Sequence, residues 1–313
     1  MVKLSNLLRG RDLLSLRHFT PDEIILILDT ADNLKKLQKR GEKHQYLSGK
    51  TLGMIFQKSS TRTRVSFEVG IYQLGGQALF LSSSDIQLGR GETVADTARV
   101  LSRYVDGIMI RTFAQSDVEQ LAHHAGIPVI NGLTDLLHPC QILADLQTIR
   151  EYKGRLAGLK LAYVGDGNNI AHSLLFGCAK TGINITVASP EGYRPSPEIV
   201  SAAREAALAT GAVIEVVTDP VEAVAKADVV VTDVWASMGQ EAEQAQRAGL
   251  FPPYQVNEQL VKHASDDFIF LHCLPAHRGE EVTAGIIDGP RSVVWDEAEN
   301  RLHVQKAVMA LLM

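Results

Sequence analysis

Short apolar runs alternate with helical patterns along almost the whole of this 313-residue chain, and that alternation limits the fold more than any other feature. Leu52–Phe56, Ala78–Leu81, Ile108–Ile110 and Val129–Ile130 read as buried strands. Helical patterns begin between them near Thr61, Glu92 and Ser116, the last stopped by Gly126. An earlier helix opens at Thr20-Pro21-Asp22-Glu23, which has the form of a capping box with proline in the first turn. A long helical stretch, Pro139–Tyr152, leads through Lys153-Gly154 into a second series. Its strands are expected at Leu161–Val164, Ile185–Ala188, Val213–Val217, Val229–Thr232 and Phe268–Leu271, with helices from near Asn169, Pro197 and Pro220. A last strand, Val293–Trp295, is expected before a C-terminal helix, Glu297–Leu312. Strands joined through helices pair in parallel, so the pattern predicts an α/β fold with two domains, each a parallel sheet flanked by helices. The length exceeds what one core usually holds. The boundary is expected in or just after the Pro139–Tyr152 helix, giving domains 1–149 and 150–296.

Composition removes several functional classes. A net charge of −5 and the lack of a long basic run argue against a nucleic-acid partner. Cys140, Cys178 and Cys273 are too few and too far apart for a disulfide framework or a zinc site, and the cytosol is the natural compartment. No metal-ligand cluster stands out in the sequence, and no metal or cofactor is expected. Lys3, Arg9, Arg11 and Arg17 interrupt the leucine-rich start, which therefore forms no signal-peptide core. The longest apolar run, Ile24–Leu28, is far too short to span a bilayer.

The unusual polar residues collect where strands end, which is where open parallel sheets bind ligands. Ser60-Thr61-Arg62-Thr63-Arg64 sits between the Leu52–Phe56 strand and a helix whose apolar face is expected to be Val65, Val69 and Tyr72. A helix N-terminus carries unpaired N–H groups and a positive dipole end, and arginine adds a fork that fits phosphate oxygens. The same residues also suit simple capping with two solvated arginines. Arg111 follows its strand directly. His138-Pro139-Cys140-Gln141 starts a helix, leaving His138 at the cap, where an imidazole can donate to a developing oxyanion and Gln141 can offer an amide. Gly165-Asp166-Gly167-Asn168-Asn169 suggests a dinucleotide fingerprint, but Ile170 stands where the third glycine belongs, so it reads as a tight turn with Asn168 and Asn169 open to a polar ligand. Asp233 with Ser237 and Met238 could bind a small amine, or could be an ordinary capping loop. In His272-Cys273-Leu274-Pro275, Cys273 is either buried structure or a thiol made reactive by His272. Arg301, on the C-terminal helix, is not singled out by any pattern.

These stretches, together with Gln87-Leu88-Gly89-Arg90-Gly91-Glu92, resemble the aspartate/ornithine carbamoyltransferase family in order and spacing from about residue 5 to the C-terminus. Within that family, the Ser-Met-Gly loop and the His-Cys-Leu-Pro segment go with ornithine as the amine. The resemblance implies an N-terminal domain for carbamoyl phosphate, a C-terminal domain for L-ornithine, and a C-terminal helix (297–313) packing back on the first. It also implies a homotrimer with shared active sites. Ser60, Thr61, Arg62, Thr63, Arg111, His138 and Gln141 would bind carbamoyl phosphate, with Gln87 reaching in from a neighbouring subunit and Cys273, Leu274 and Arg301 completing the site. Asn169, Asp233, Ser237 and Met238 would hold ornithine. Arg62, Arg111, His138 and Cys273 would carry the chemistry, with Cys273 orienting the amine and not acting as a nucleophile. The product would be L-citrulline, as in arginine biosynthesis. Putrescine or acetylornithine as the amine, or catabolic phosphorolysis of citrulline, are the alternatives. An aspartate-type enzyme is disfavoured because Asp233 would repel a dicarboxylate.

Overall fold

Four parallel strands, β1 (Thr51–Phe56), β2 (Gln77–Ser82), β3 (Gly107–Arg111) and β4 (Val129–Leu133), form one sheet in the order β2-β1-β3-β4. They appear in a computed structural model that describes residues 6–83, 86–87, 91–236, 247 and 249–313. The chain divides into one unit of Met1–Gln147 with Glu299–Met313 and a second of Thr148–Ala298. In the first, α1 (Pro21–Lys39) opens with the full capping box of Thr20 and Glu23. It is followed by α2 (Thr61–Gln73), α3 (Val94–Leu101), α4 (Gln115–His124) and the start of α5 (Pro139–Lys153), whose residues from Thr148 on belong to the second unit. Ile55, Ile108, Ile110, Val118, Leu121 and Val129 pack as one buried cluster. Each such side chain is worth about 1.5–3 kcal/mol of transfer free energy.

The order β2-β1-β3-β4 has a consequence for function. From β1 the chain goes outward to β2, then crosses back to place β3 on the other side of β1. Helical connections therefore diverge between β1 and β3, leaving a crevice at their carboxyl ends. Phe56 and Arg111 are register partners at that end.

The second unit repeats this logic with five parallel strands: β5 (Lys160–Val164), β6 (Asn184–Ala188), β7 (Ile214–Val217), β8 (Val229–Thr232) and β9 (Ile269–His272), in the order β7-β6-β5-β8-β9. Its helices include α6 (Asn169–Thr181), α7 (Pro197–Ala207) and α8 (Pro220–Val224). Here the order reverses between β5 and β8, and the Thr232 hydroxyl ties the two strands by donating to the Val164 carbonyl at 2.6 Å.

Two sequence expectations are corrected. Val293–Trp295 is not a strand: Val293 meets Phe270 through a single backbone hydrogen bond of 3.0 Å, and the last helix already begins at Val294 and runs to Leu312. Asp296 and Glu297 in its first turn favour that start, because acidic side chains suit the positive end of a helix dipole. On α2, Val65, Val69 and Tyr72 are exposed, Tyr72 to 77%. The inward face is Thr63, Phe67, Gly70 and Ile71. Periodicity marked a stripe but could not choose between two. The choice is made by Gly70, where a Cβ would stand only 3.0 Å from Met309 Cε and 3.2 Å from Lys306 Cγ. Residues 299–313 belong to the first unit through such contacts. Lys306 Nζ donates to Gln38 at 2.7 Å and to Gln73 at 2.9 Å and lies 2.9 Å from His44 Nε2, while Lys35 Nζ donates to Asn300 at 2.7 Å.

Candidate active site

At the switch between β1 and β3, Ser60 caps α2 by accepting the Thr63 N–H at 3.2 Å. Capping and anion binding are compatible here, since one cap bond satisfies one of the four N–H groups a helix start leaves open. Thr61 is exposed, Arg62 half-buried and Thr63 fully buried. Arg111 closes β3 with 7% exposure, and its carbonyl accepts the Gln57 N–H at 2.9 Å, holding the ends of both strands together. The register against β4 shifts between Ile110 and Arg111, an irregularity of the kind that re-aims a side chain. Arg64 turns away to pair with Glu68 at 3.0 Å and stack on Phe80, and so serves the fold.

His138 precedes Pro139 at the start of α5 and is buried. Burial first, and then the positive charges of Arg301, Arg111 and Arg62, push its imidazole well below the ordinary histidine range. The ring is therefore neutral at pH 7 and can donate a neutral N–H. Arg301 lies on the last helix at 4% exposure, donating to Thr63 Oγ1 at 2.9 Å and to Gln141 Oε1 at 3.2 Å. Gln141 Nε2 in turn donates to Asp145 at 2.9 Å. Three helices thus converge on one basic corner. Isolated buried charge is expensive, so a cluster of this kind suits a site that takes an anion. Cys140 is a core thiol: it faces the Asn131 carbonyl at 3.5 Å, and burial raises it to about 12. Gln87 is exposed in the segment between β2 and α3, and Leu88, Gly89 and Arg90 lie outside the described residues.

The switch between β5 and β8 is different in character. Gly165 takes φ +144°, and a Cβ on Gly167 would lie 2.2 Å from the Pro195 nitrogen. The glycines therefore serve the turn and a close loop approach, as the missing third glycine implied. Asn168 caps α6, and Asn169 is its first residue. Asp233, buried at 5% exposure, accepts from Asn168 Nδ2 at 2.8 Å on Oδ2, and from the Val234 N–H at 2.8 Å and the Cys273 thiol at 3.1 Å on Oδ1. Asn168 is thus committed to internal bonds and is not open to a ligand. Leu274 adopts φ +58° before a cis bond to Pro275. Its N–H donates to His272 Nδ1 at 2.9 Å, so the ring proton sits on Nε2 and points to Glu281 at 3.1 Å. Asp233, His272 and Cys273 place donor atoms within 4.8 Å of one another. With its lone pair already engaged, however, His272 makes a poor metal ligand and gives Cys273 no cationic neighbour. Ser237 and Met238 lie outside the described residues.

Among the described residues no helix is long and apolar enough to cross a membrane. Residues 11–151 match the model of the aspartate/ornithine carbamoyltransferase carbamoyl-P binding domain, and residues 157–312 match that of the Asp/Orn binding domain. The ornithine carbamoyltransferase of Oceanobacillus iheyensis is 65% identical over 98% of this chain and 95% of its own length. An anabolic ornithine carbamoyltransferase of Pyrococcus furiosus is 60% identical over 98% of this chain and 97% of its own. A solved structure of ornithine carbamoyltransferase from that organism superposes with a TM-score of 0.95 over 98% of both chains. By class, then, this two-sheet α/β protein is a transferase of carbamoyl groups. It belongs to the aspartate/ornithine carbamoyltransferase family.

Residue patterns alone missed Arg301, which only the family resemblance brought in. Nothing in the spacing of the last helix marks it, because that helix buries Asn300, Arg301, His303, Gln305 and Lys306 alike.

Proposed function

We propose that this chain transfers the carbamoyl group of carbamoyl phosphate to the δ-amino group of L-ornithine, giving L-citrulline and phosphate. The observation that carries the reading is the buried, neutral His138 under the charges of Arg62, Arg111 and Arg301, at the switch point of the sheet matched by the carbamoyl-P binding domain model. In this reading the roles follow from chemistry. Ser60, Thr61, Arg62, Thr63 and Arg111 take the phosphate, and the arginines improve it as a leaving group. His138 donates to the carbonyl oxygen as a tetrahedral intermediate forms, with Gln141 and Arg301 holding that corner. The carbon–oxygen bond to phosphate then breaks as the nitrogen gives up its proton to the departing phosphate.

An amine with an ordinary pKa of about 10.4 must arrive neutral to attack. The Leu274 carbonyl and Cys273 are its acceptor and guide. The Cys273 thiol donates a hydrogen bond to Asp233 at 3.1 Å, which suits an orienting group better than a thiolate nucleophile. Asp233 holds the α-amino group beside Asn169, with Ser237 and Met238 completing the amine site. We assign carbamoyl phosphate to residues 1–149 with 297–313 and ornithine to 150–296.

A homotrimer in the cytosol, with Gln87 lent to a neighbour, completes the proposal. The exposed Val65, Tyr72, Leu79 and Phe80 on α2 and the edge strand β2 support an oligomer, because a large apolar patch on one chain favours a partner. The biosynthetic direction is favoured by the anabolic designation of the Pyrococcus relative. Citrulline formation from carbamoyl phosphate with ornithine, and with acetylornithine, putrescine and aspartate in parallel, tests the reaction. Turnover confined to ornithine is the expected result, and its absence would end the reading.

A further inference from the structure

We propose that Asn168 is a positioning residue for amine recognition, its side-chain amide fixing the Asp233 carboxylate in the orientation that receives the substrate's α-amino group. This rests on the reading of Asp233 given above. An N-cap needs only an acceptor, and Ser, Asp and Asn fill the place about equally well. Asparagine alone among them offers an acceptor and an –NH2 on one planar group. Here both ends are used. Oδ1 accepts from the Ile170 N–H at 3.0 Å and the Ala171 N–H at 3.3 Å, and shares with the Asp166 carbonyl the proton of the buried Tyr163 hydroxyl. Nδ2 is then left to donate to Asp233 Oδ2 at 2.8 Å. Flipping the amide would set –NH2 against backbone donors and oxygen against a carboxylate, so the orientation is forced.

The clamp also divides the work on Asp233. Oδ1 is held by the backbone of Val234 and the thiol of Cys273, and Asn168 fixes Oδ2 from the neighbouring strand end. Without it, the carboxylate is held through Oδ1 alone and Oδ2 can pivot about the terminal torsion, which is broad in aspartate. Asn168 thereby joins the β5–α6 turn to the end of β8 across the switch point of the sheet.

The test uses the full-length enzyme and three variants, with KM and kcat measured for both substrates across the neutral to alkaline range and a thermal melt for each protein. Asn168→Ser keeps the cap but cannot reach Asp233. It should raise the KM for ornithine about tenfold or more, the scale of a lost hydrogen bond to a charged group, and leave the KM for carbamoyl phosphate nearly unchanged. Asn168→Asp keeps the cap and sets a second carboxylate against Asp233. Two such groups share a proton, so ornithine KM should acquire a second pH dependence towards the acid end of the range, beyond the one that deprotonation of the δ-amine gives the parent, which a purely structural cap would not produce. Asp233→Asn is the control. If it raises ornithine KM while both Asn168 variants, melting like the parent, behave as the parent does, the positioning role is overturned and the reading of Asp233 stands. If Asp233→Asn itself leaves ornithine KM unmoved, both fall.

Discussion

In the four-stranded sheet the switch between β1 and β3 presents Arg62 and Arg111, with Arg301 and the neutral His138 beside them. In the five-stranded sheet the switch between β5 and β8 presents Asp233, held by Asn168 and Cys273. One topological device, a crevice where crossover connections diverge, is thus charged positively in one unit and negatively in the other. Fold, then, chooses the place and side chains choose the ligand. A phosphate is stabilised by cations and helix N–H groups, whereas an ammonium needs an oriented carboxylate. The two corners also differ in how they are tied. The basic one is closed by Arg301 reaching back to Thr63 and Gln141 from near the end of the chain. The acidic one is closed by short bonds among adjacent strand ends.

Removing charge from the basic corner should have the largest effect. Arg62→Ala should lower kcat/KM by about 1000-fold or more, as the loss of transition-state charge stabilisation implies, while a fluorescent ornithine analogue still binds. A loss confined to ornithine binding would invert the assignment of the two sites.

His138→Gln should lower kcat roughly 100-fold, measured at saturating substrates. It should also change acid stability. The folded chain keeps His138 neutral well below its ordinary value, whereas the unfolded chain takes up the proton near pH 6.5. Its contribution is therefore present above that pH and is lost as pH falls below it. The variant's urea midpoints should vary less between neutral and acid pH, with His44 and His303, both also lowered, supplying the remaining slope.

Cys273→Ser tests the acidic corner more gently. A hydroxyl can still donate to Asp233, so ornithine KM should rise by about tenfold at most and turnover should persist. Trapping of a carbamoylated thiol in the parent by mass spectrometry would refute the orienting role.

The smallest effect lies outside both sites. Burial lowers Lys306 from 10.5 to about 8, so between those values the unfolded chain holds a proton that the folded chain has released. Stability from this group therefore rises with pH through that window. Lys306→Met should flatten that rise in thermal melts and leave kcat unchanged, and an unaltered slope would show that the amine is not the source.

Much of this is legible in the sequence. The strand runs and the Thr20 capping box follow from residue chemistry over a few positions, and the glycines of Gly165-Asp166-Gly167 serve a turn, as their incomplete fingerprint implied. The inward face of α2 was not legible, because Val65, Val69 and Tyr72 have as good a helical period as Phe67, Gly70 and Ile71. Arg301 and Lys306 were invisible to pattern for a related reason. Their burial depends on partners 238 and 262 positions away in the chain, and spacing carries no record of such partners.

Residue order alone specifies which segments are strands and helices, that the strands run parallel, and that the chemistry-bearing residues stand at strand ends and helix starts. These follow from local dihedral preference, capping and the length of the connections. The strand orders β2-β1-β3-β4 and β7-β6-β5-β8-β9, and with them which strand ends become neighbours, emerge from the packed fold. Strand order is set by which non-local faces bury best together. It is that choice that brings Arg62 beside Arg111 and Asn168 against Asp233.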